Sequence, residues 1–160
     1  MRNILKILSI ILFVPAFSLA QNDKPENFKG TLIIEHKPVE FNYLSTPDGT
    51  TEIPYFKKIP SKYEYLSNLG QEFLPLKKVK DIKMVRFSAE ELQDLYDSCE
   101  DCLLYKADIT FYEDSGSNVE TLYLTAKYFT WKNTDLKDYC EPHIAELRFL
   151  EAVIINKEIE

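Results

Sequence analysis

After its first twenty residues this chain has no long apolar run, and its charge is predominantly acidic, with one short basic stretch at Leu74 to Lys80. No later segment approaches the ~20 consecutive apolar residues that a membrane-spanning helix needs. The 160 residues include 26 acidic and 19 basic side chains, a formal net charge of −7 that deepens to −9 without Arg2 and Lys6. Nucleic acid and anionic membranes are poor partners for such a surface, because phosphate binding needs a basic patch. Glycine is scarce, four residues against ten Tyr and ten Phe, which suits a strand-rich globular chain and argues against disorder. There is no internal repeat and no low-complexity linker. No Ser or Cys is spaced to form a triad with His36, which stands beside Glu35, so a catalytic constellation is not legible.

The first twenty residues read as a secretory signal. Arg2 and Lys6 supply the positive start, Ile7 to Phe17 the apolar run, and Ser18-Leu19-Ala20 presents small residues at the two positions a signal peptidase reads, so cleavage is expected before Gln21. A lipid anchor would require a cysteine at that position, where Gln21 stands. An exported protein, periplasmic or extracellular, is therefore expected. The remainder is long enough for one core. Residues 21–30 are polar and read as a flexible lead-in, and 31–160 as a single α+β domain.

Hydrophobic periodicity predicts a mainly antiparallel sheet of five to seven strands built from hairpins, with one well-formed helix over about 88–98. Thr31 to Lys37 and Val39 to Ser45 look extended, and Pro38 between them marks a bend, bulge or edge. Thr46-Pro47-Asp48-Gly49 is a turn signal that predicts a hairpin from Val39 to Phe56. Ser61 to Leu66 alternates as a strand with Tyr63 and Tyr65 on one face, and Asn68-Leu69-Gly70 breaks it. Leu74 to Lys80 is irregular, and Ile82 to Phe87 a short strand.

The helix is announced by Ser88 and Glu91, the two ends of a capping box. Leu92, Leu95, Tyr96 and Cys99 follow at helical spacing and predict a core-facing stripe. The cleanest alternation in the chain comes next. Leu103, Tyr105, Ala107, Ile109 and Phe111 share one face, and Leu122, Leu124, Ala126 and Tyr128 return across a turn at Asp114 to Asn118. Lys132 to Tyr139 is polar with room for one helical turn. Ile144 to Ile155 fits helix and strand alike, with Val153-Ile154-Ile155 favouring a closing strand.

Cys99, Cys102, Cys140 and His143 form the one constellation with special chemistry. Two short ligand pairs separated by a hairpin is a zinc-site layout, so one reading is a Cys3His zinc centre. Pairing across the turn places Cys102 near Thr130, with Cys140 ten residues beyond. The favoured reading for an oxidising compartment is a disulfide from Cys99 or Cys102 to Cys140, closing a loop of about 40 residues for ~4 kcal/mol of loop entropy. A Cys99–Cys102 bridge with Cys140 spare is the alternative. A thiol-redox centre is disfavoured, because Cys99 meets the negative end of its helix and Glu100 and Asp101 lie between the thiols.

The polar face of the hairpin, with Tyr112 and Tyr123, and Phe129 and Trp131 at its end, offers a possible binding face, since Tyr and Trp are favoured at interfaces. The functional expectation is a non-enzymatic exported binding protein with a protein partner, such as an inhibitor or toxin-neutralising protein. It needs no cofactor. The alternative is a zinc or thiol-redox protein built on the cysteine group.

Overall fold

A computed structural model describes residues 28–112 and 118–156; the expected secretory signal, most of the expected lead-in and most of the expected turn at Asp114 to Asn118 lie outside them. The elements are β1 (Lys29–Ile34), β2 (Lys37–Phe41), β3 (Tyr43–Ser45), β4 (Glu52–Phe56), α1 (Lys62–Ser67), β5 (Glu72–Pro75), β6 (Val79–Met84), α2 (Ala89–Cys99), β7 (Tyr105–Phe111), β8 (Val119–Leu124), β9 (Tyr128–Lys132), β10 (His143–Glu146) and β11 (Leu150–Asn156). Every strand pairing is antiparallel. The fold is α+β and sheet-dominated, with one well-formed helix, as the periodicity predicts. The strands exceed the expected number and divide into an eight-stranded sheet, β2-β1-β11-β6-β7-β8-β4-β5, and a three-stranded sheet, β10-β9-β3.

Alternation explains the core. Ala107 and Ile109 of β7, Leu122 and Leu124 of β8, Ile82 of β6, Val153 of β11 and Leu32 of β1 are all buried. They join Leu44, Phe129, Trp131 and Ala145 of the smaller sheet in one buried cluster. Burying a side chain of this size contributes about 1.5–3 kcal/mol relative to leaving it in water.

Other expectations are borne out in part and corrected in part. The lead-in is shorter than 21–30: Phe28 is buried in the core, and β1 begins at Lys29. The turn at Thr46 to Gly49 forms, with the Gly49 amide donating to the Thr46 carbonyl at 2.9 Å and Gly49 at φ 78°. Its flanks do not pair as a hairpin, because β3 joins β9 while β4 joins β5 and β8. Pro38 lies on β2, an edge strand where a missing amide costs no ladder bond. The ambiguous 144–155 segment splits into β10 and β11. The return strand stops at Leu124 and the chain crosses to the other sheet, so Cys102 never stands opposite Thr130.

The largest correction is residues 61–66, which fold as α1 rather than a strand. Ser61 and Glu64 form a second capping box, with the Ser61 amide donating to Glu64 Oε2 at 2.7 Å and the Glu64 amide to Ser61 Oγ at 3.3 Å. Asn68 closes the helix in the left-handed conformation, φ 55°, a role that Asn tolerates. These two end signals outweighed a short period-2 pattern.

Gly30 sits between β2 and β11, paired with Phe41 and Ile155. A Cβ there would collide with the Ile154 carbonyl oxygen and reach 2.7 Å from Phe41 Cζ. Gly30→Ala is expected to destabilise the fold by about 1–3 kcal/mol or more, the cost of overpacking a site that cannot relax. Gly49→Ala has open space around its Cβ and should cost only about 1 kcal/mol for its positive φ. Chemical denaturation of the two variants measures the difference.

Candidate functional site

The two helices carry the most unusual surface in the described structure. Helix α2 follows its capping box closely: the Ser88 amide donates to Glu91 Oε2 at 2.7 Å and the Glu91 amide to Ser88 Oγ at 3.1 Å. The expected core-facing stripe is only partly inward. Cys99 is buried and Leu95 half-buried, but Leu92 and Tyr96 are 53% and 62% exposed. The inward row is Glu91, Leu95 and Cys99, spaced by four. Leu92 and Tyr96, one position further on, face water.

The reason is a polar seat on the sheet. Lys106 of β7 and Tyr123 of β8 are register partners, and both side chains point to the face that α2 covers. Lys106 Nζ lies 2.8 Å from Glu91 Oε1, and the Tyr123 hydroxyl donates to Glu91 Oε1 at 3.0 Å. Phe87 stacks on the Tyr123 ring with centroids 5.9 Å apart. With Glu91 seated there, Leu95 and Cys99, four and eight residues on, face inward with it, and Leu92 and Tyr96 are turned out. The electrostatics agree: the Lys106 ammonium, then the Ser88 amide, hold the Glu91 carboxyl far below its usual range, at about 2. Burial and the neighbouring Glu91 push Tyr123 up to about 12.

Helix α1 is tied alongside. Lys62 Nζ reaches Asp101 Oδ2 at 2.8 Å, the Leu103 amide donates to the Tyr65 hydroxyl at 3.3 Å, and Tyr65 packs on Phe56 with ring centroids 6.5 Å apart. With Tyr65 turned inward, Tyr63 and Leu66 are turned out, 73% and 72% exposed, and Leu69 is exposed beyond the helix end. A disulfide joins Cys99 to Cys102, and the Cys102 amide donates to the Cys99 carbonyl at 2.9 Å. This staple fixes the exit of α2 into β7.

The residues singled out in the sequence fall as follows. The favoured bridge to Cys140 is replaced by Cys99–Cys102, leaving Cys140 exposed and its thiol directed to the Lys137 carbonyl at 3.2 Å. So local a loop removes little chain entropy, about 2 kcal/mol against ~4 for the longer loop. The Cys3His zinc set does not assemble: two of its thiols are spent on each other, and His143 stacks on Trp131 at 4.9 Å and sits beside Tyr139. Among the described residues no three His, Cys, Asp or Glu side chains gather to hold a metal. Of the expected binding face, Phe129 and Trp131 are core. Tyr123 is half-buried under α2, and half-buried Tyr112 donates to the Ile155 carbonyl. His36 is in the β1–β2 turn rather than on a strand. The exposed residues of α1 were missed, although Ser61-x-x-Glu64 with Asn68 marks both helix ends.

No family model matches the chain, and no curated protein or solved structure matches it.

Glu91 makes stability pH-dependent in a stated direction. Its folded pKa is depressed from the ordinary 4.5 to about 2, so its contribution is complete above pH ~4.5 and lost as pH falls toward 2. The carboxylate retains 21% exposure, and with that screening Glu91→Gln should lower the unfolding free energy at pH 7 by about 1–2 kcal/mol. Denaturant titrations should show the gap between wild type and variant narrowing steadily from pH 5 toward pH 2; a gap independent of pH would contradict the account.

Proposed function

We propose that this is an exported, non-enzymatic binding protein that holds a basic partner protein on the surface formed by α1 and α2. The observation that carries the reading is the exposure of Tyr63, Leu66, Leu92 and Tyr96 on two helices, and of Leu69 just past α1, with α2 fixed to the sheet through Glu91 and Lys106 and α1 tied to the segment after α2 through Lys62 and Asp101. Scattered exposed apolar residues are ordinary, but a concentration of large ones on neighbouring elements marks an interaction surface. Residues 61–70 and 88–103 span about the 20–30 residues that one side of a standard protein interface uses.

The acidic balance supports a basic partner. Between Ser88 and Cys102 there are six acidic residues and no Lys or Arg. Glu91 and Asp101 are engaged within the protein, while Glu90, Asp94, Asp97 and Glu100 are exposed around Leu92 and Tyr96. Apolar anchors rimmed by one sign of charge give affinity through the centre and partner choice through the rim. The seat under α2 is already paired, so binding requires no ordering of the helix, a cost that weakens interfaces built on mobile segments. Export is supported by the Cys99–Cys102 disulfide, since such bonds persist in oxidising compartments, and by the signal-like residues 1–20.

The test is a comparison of immobilised wild type with the Leu92→Ser/Tyr96→Ser double variant against basic exported proteins of the native source. Both substitutions are at exposed positions, so thermal unfolding should be unchanged. Wild type should retain a discrete basic protein whose affinity falls with added salt, and the variant should bind it about tenfold more weakly or worse. Equal retention by the two would place binding elsewhere and overturn the proposal.

A further inference from the structure

A second surface differs from the first in shape and in charge. A cleft of about 740 Å³ opens where the β1–β2 turn, the β6–α2 connection, the start of β7 and the β10–β11 turn meet. That volume lies within the 300–1,000 Å³ range of small-molecule sites. Beyond residue 20 the sequence has only two arginines, Arg86 and Arg148, every other Lys or Arg being lysine. Both line this cleft.

The two guanidinium groups are differently prepared. Arg148, though 61% exposed, is braced by two contacts: its Nε lies 2.6 Å from Glu146 Oε2 and its guanidinium carbon 4.5 Å over the Phe149 ring centroid. A stacked guanidinium fixed at Nε still has its terminal nitrogens to offer, in the planar fork that matches a carboxylate or phosphate. Arg86 has no ion-pair partner among the described residues, and its neighbour Phe87 presents an aromatic wall. Tyr105, half-buried in the same cleft, has its hydroxyl pKa raised by burial, with the Arg148 charge pulling it partway back.

The turn at the mouth is built against local preference. Glu35 and His36 occupy the two positions of a tight hairpin turn at φ 48° and 66°, where Asn-Gly is the relaxed choice. Two non-glycine residues in the left-handed region mark a site where backbone comfort has been given up. What holds them is Glu151, whose Oε1 accepts from the His36 amide at 3.1 Å and lies 2.7 Å from His36 Nδ1. One acid of the cleft is thereby engaged with His36.

We propose that this cleft binds a small organic anion, a carboxylate, sulfonate or phosphate ester with an apolar or aromatic body. Arg86 and Arg148 hold the charged group, and Phe87 and Tyr105 hold the body. The choice of an anion rests on both arginines lining one cleft in a protein of net negative charge, so that the attraction is local to the cleft. This site is independent of the α1–α2 surface, and either reading stands without the other.

The probes are 8-anilinonaphthalene-1-sulfonate and N-phenyl-1-naphthylamine, the same aromatic body with and without the anion. Fluorescence titration of the full chain should give one saturable site that prefers the sulfonate. Arg86→Ala and Arg148→Ala should each weaken the sulfonate about tenfold, the effect of losing one charge-assisted hydrogen bond, and leave the neutral probe unchanged. Lys58→Ala, outside the cleft, serves as the control for general attraction and should change neither. Amide chemical shifts should move at residues 35–36, 86–87, 105 and 148–151. No preference for the sulfonate, no loss in the arginine variants, or shifts confined to α1 and α2 would each overturn the proposal.

Discussion

One carboxylate organises the functional half of this molecule. Glu91 accepts from the Ser88 amide, pairs with Lys106 and accepts from Tyr123, so a single side chain caps α2 and bolts it to two strands. Such a half-buried polar hub is favourable only when all its partners are present; removing one leaves the others desolvated and unpaired. With the hub in place, the helix has a fixed rotation about its axis. That rotation sends Leu92 and Tyr96 outward, and the candidate docking surface is a consequence of it.

The same arrangement links the two proposed sites. Arg86 and Phe87 line the cleft, and the next residue, Ser88, caps α2. Phe87 also stacks on Tyr123, beside the hub. The cleft and the helical surface are therefore built on adjoining residues of one connection, the cleft concentrating the arginines and the helices the acids. A chain of net charge −7 thus has two separate electrostatic characters, which net charge alone conceals. The Cys99–Cys102 staple acts at the other end of α2, where it shapes the exit into β7 without tethering any distant segment.

Much of this was legible in the sequence wherever a pattern had a local cause. The start of α2 follows from Ser88 and Glu91, and the β7–β8 hairpin from the alternation on either side of the turn, from Tyr105 to Phe111 and on the return to Leu124. What failed was inference about partners. The stripe Leu92, Leu95, Tyr96, Cys99 is amphipathic in either orientation, and only the position of Lys106 and Tyr123 across the sheet decides which part of it is inward. Likewise Phe129 and Trp131 look like an extension of the hairpin until the chain is seen to leave one sheet for the other after Leu124. The α1 helix was misread for another reason: over six residues Tyr63 and Tyr65 imitate strand alternation, while the end signals at Ser61, Glu64 and Asn68 say helix. Cysteine spacing was least informative, because three thiols allow three bridges and sequence distance does not rank them.

Leu92 and Tyr96 face solvent because Glu91 seats the helix. Side-chain NMR with a soluble gadolinium chelate measures this directly. The Leu92 methyl groups and the Tyr96 ring should relax as fast as those of Tyr63 and Leu66, while Leu122, Leu124 and the Cys99 β-protons stay protected, and Glu91→Gln should blur that contrast across α2. Protection of Leu92 and Tyr96 equal to that of Cys99 would mean that the stripe is core, and the account of the helical surface would be wrong.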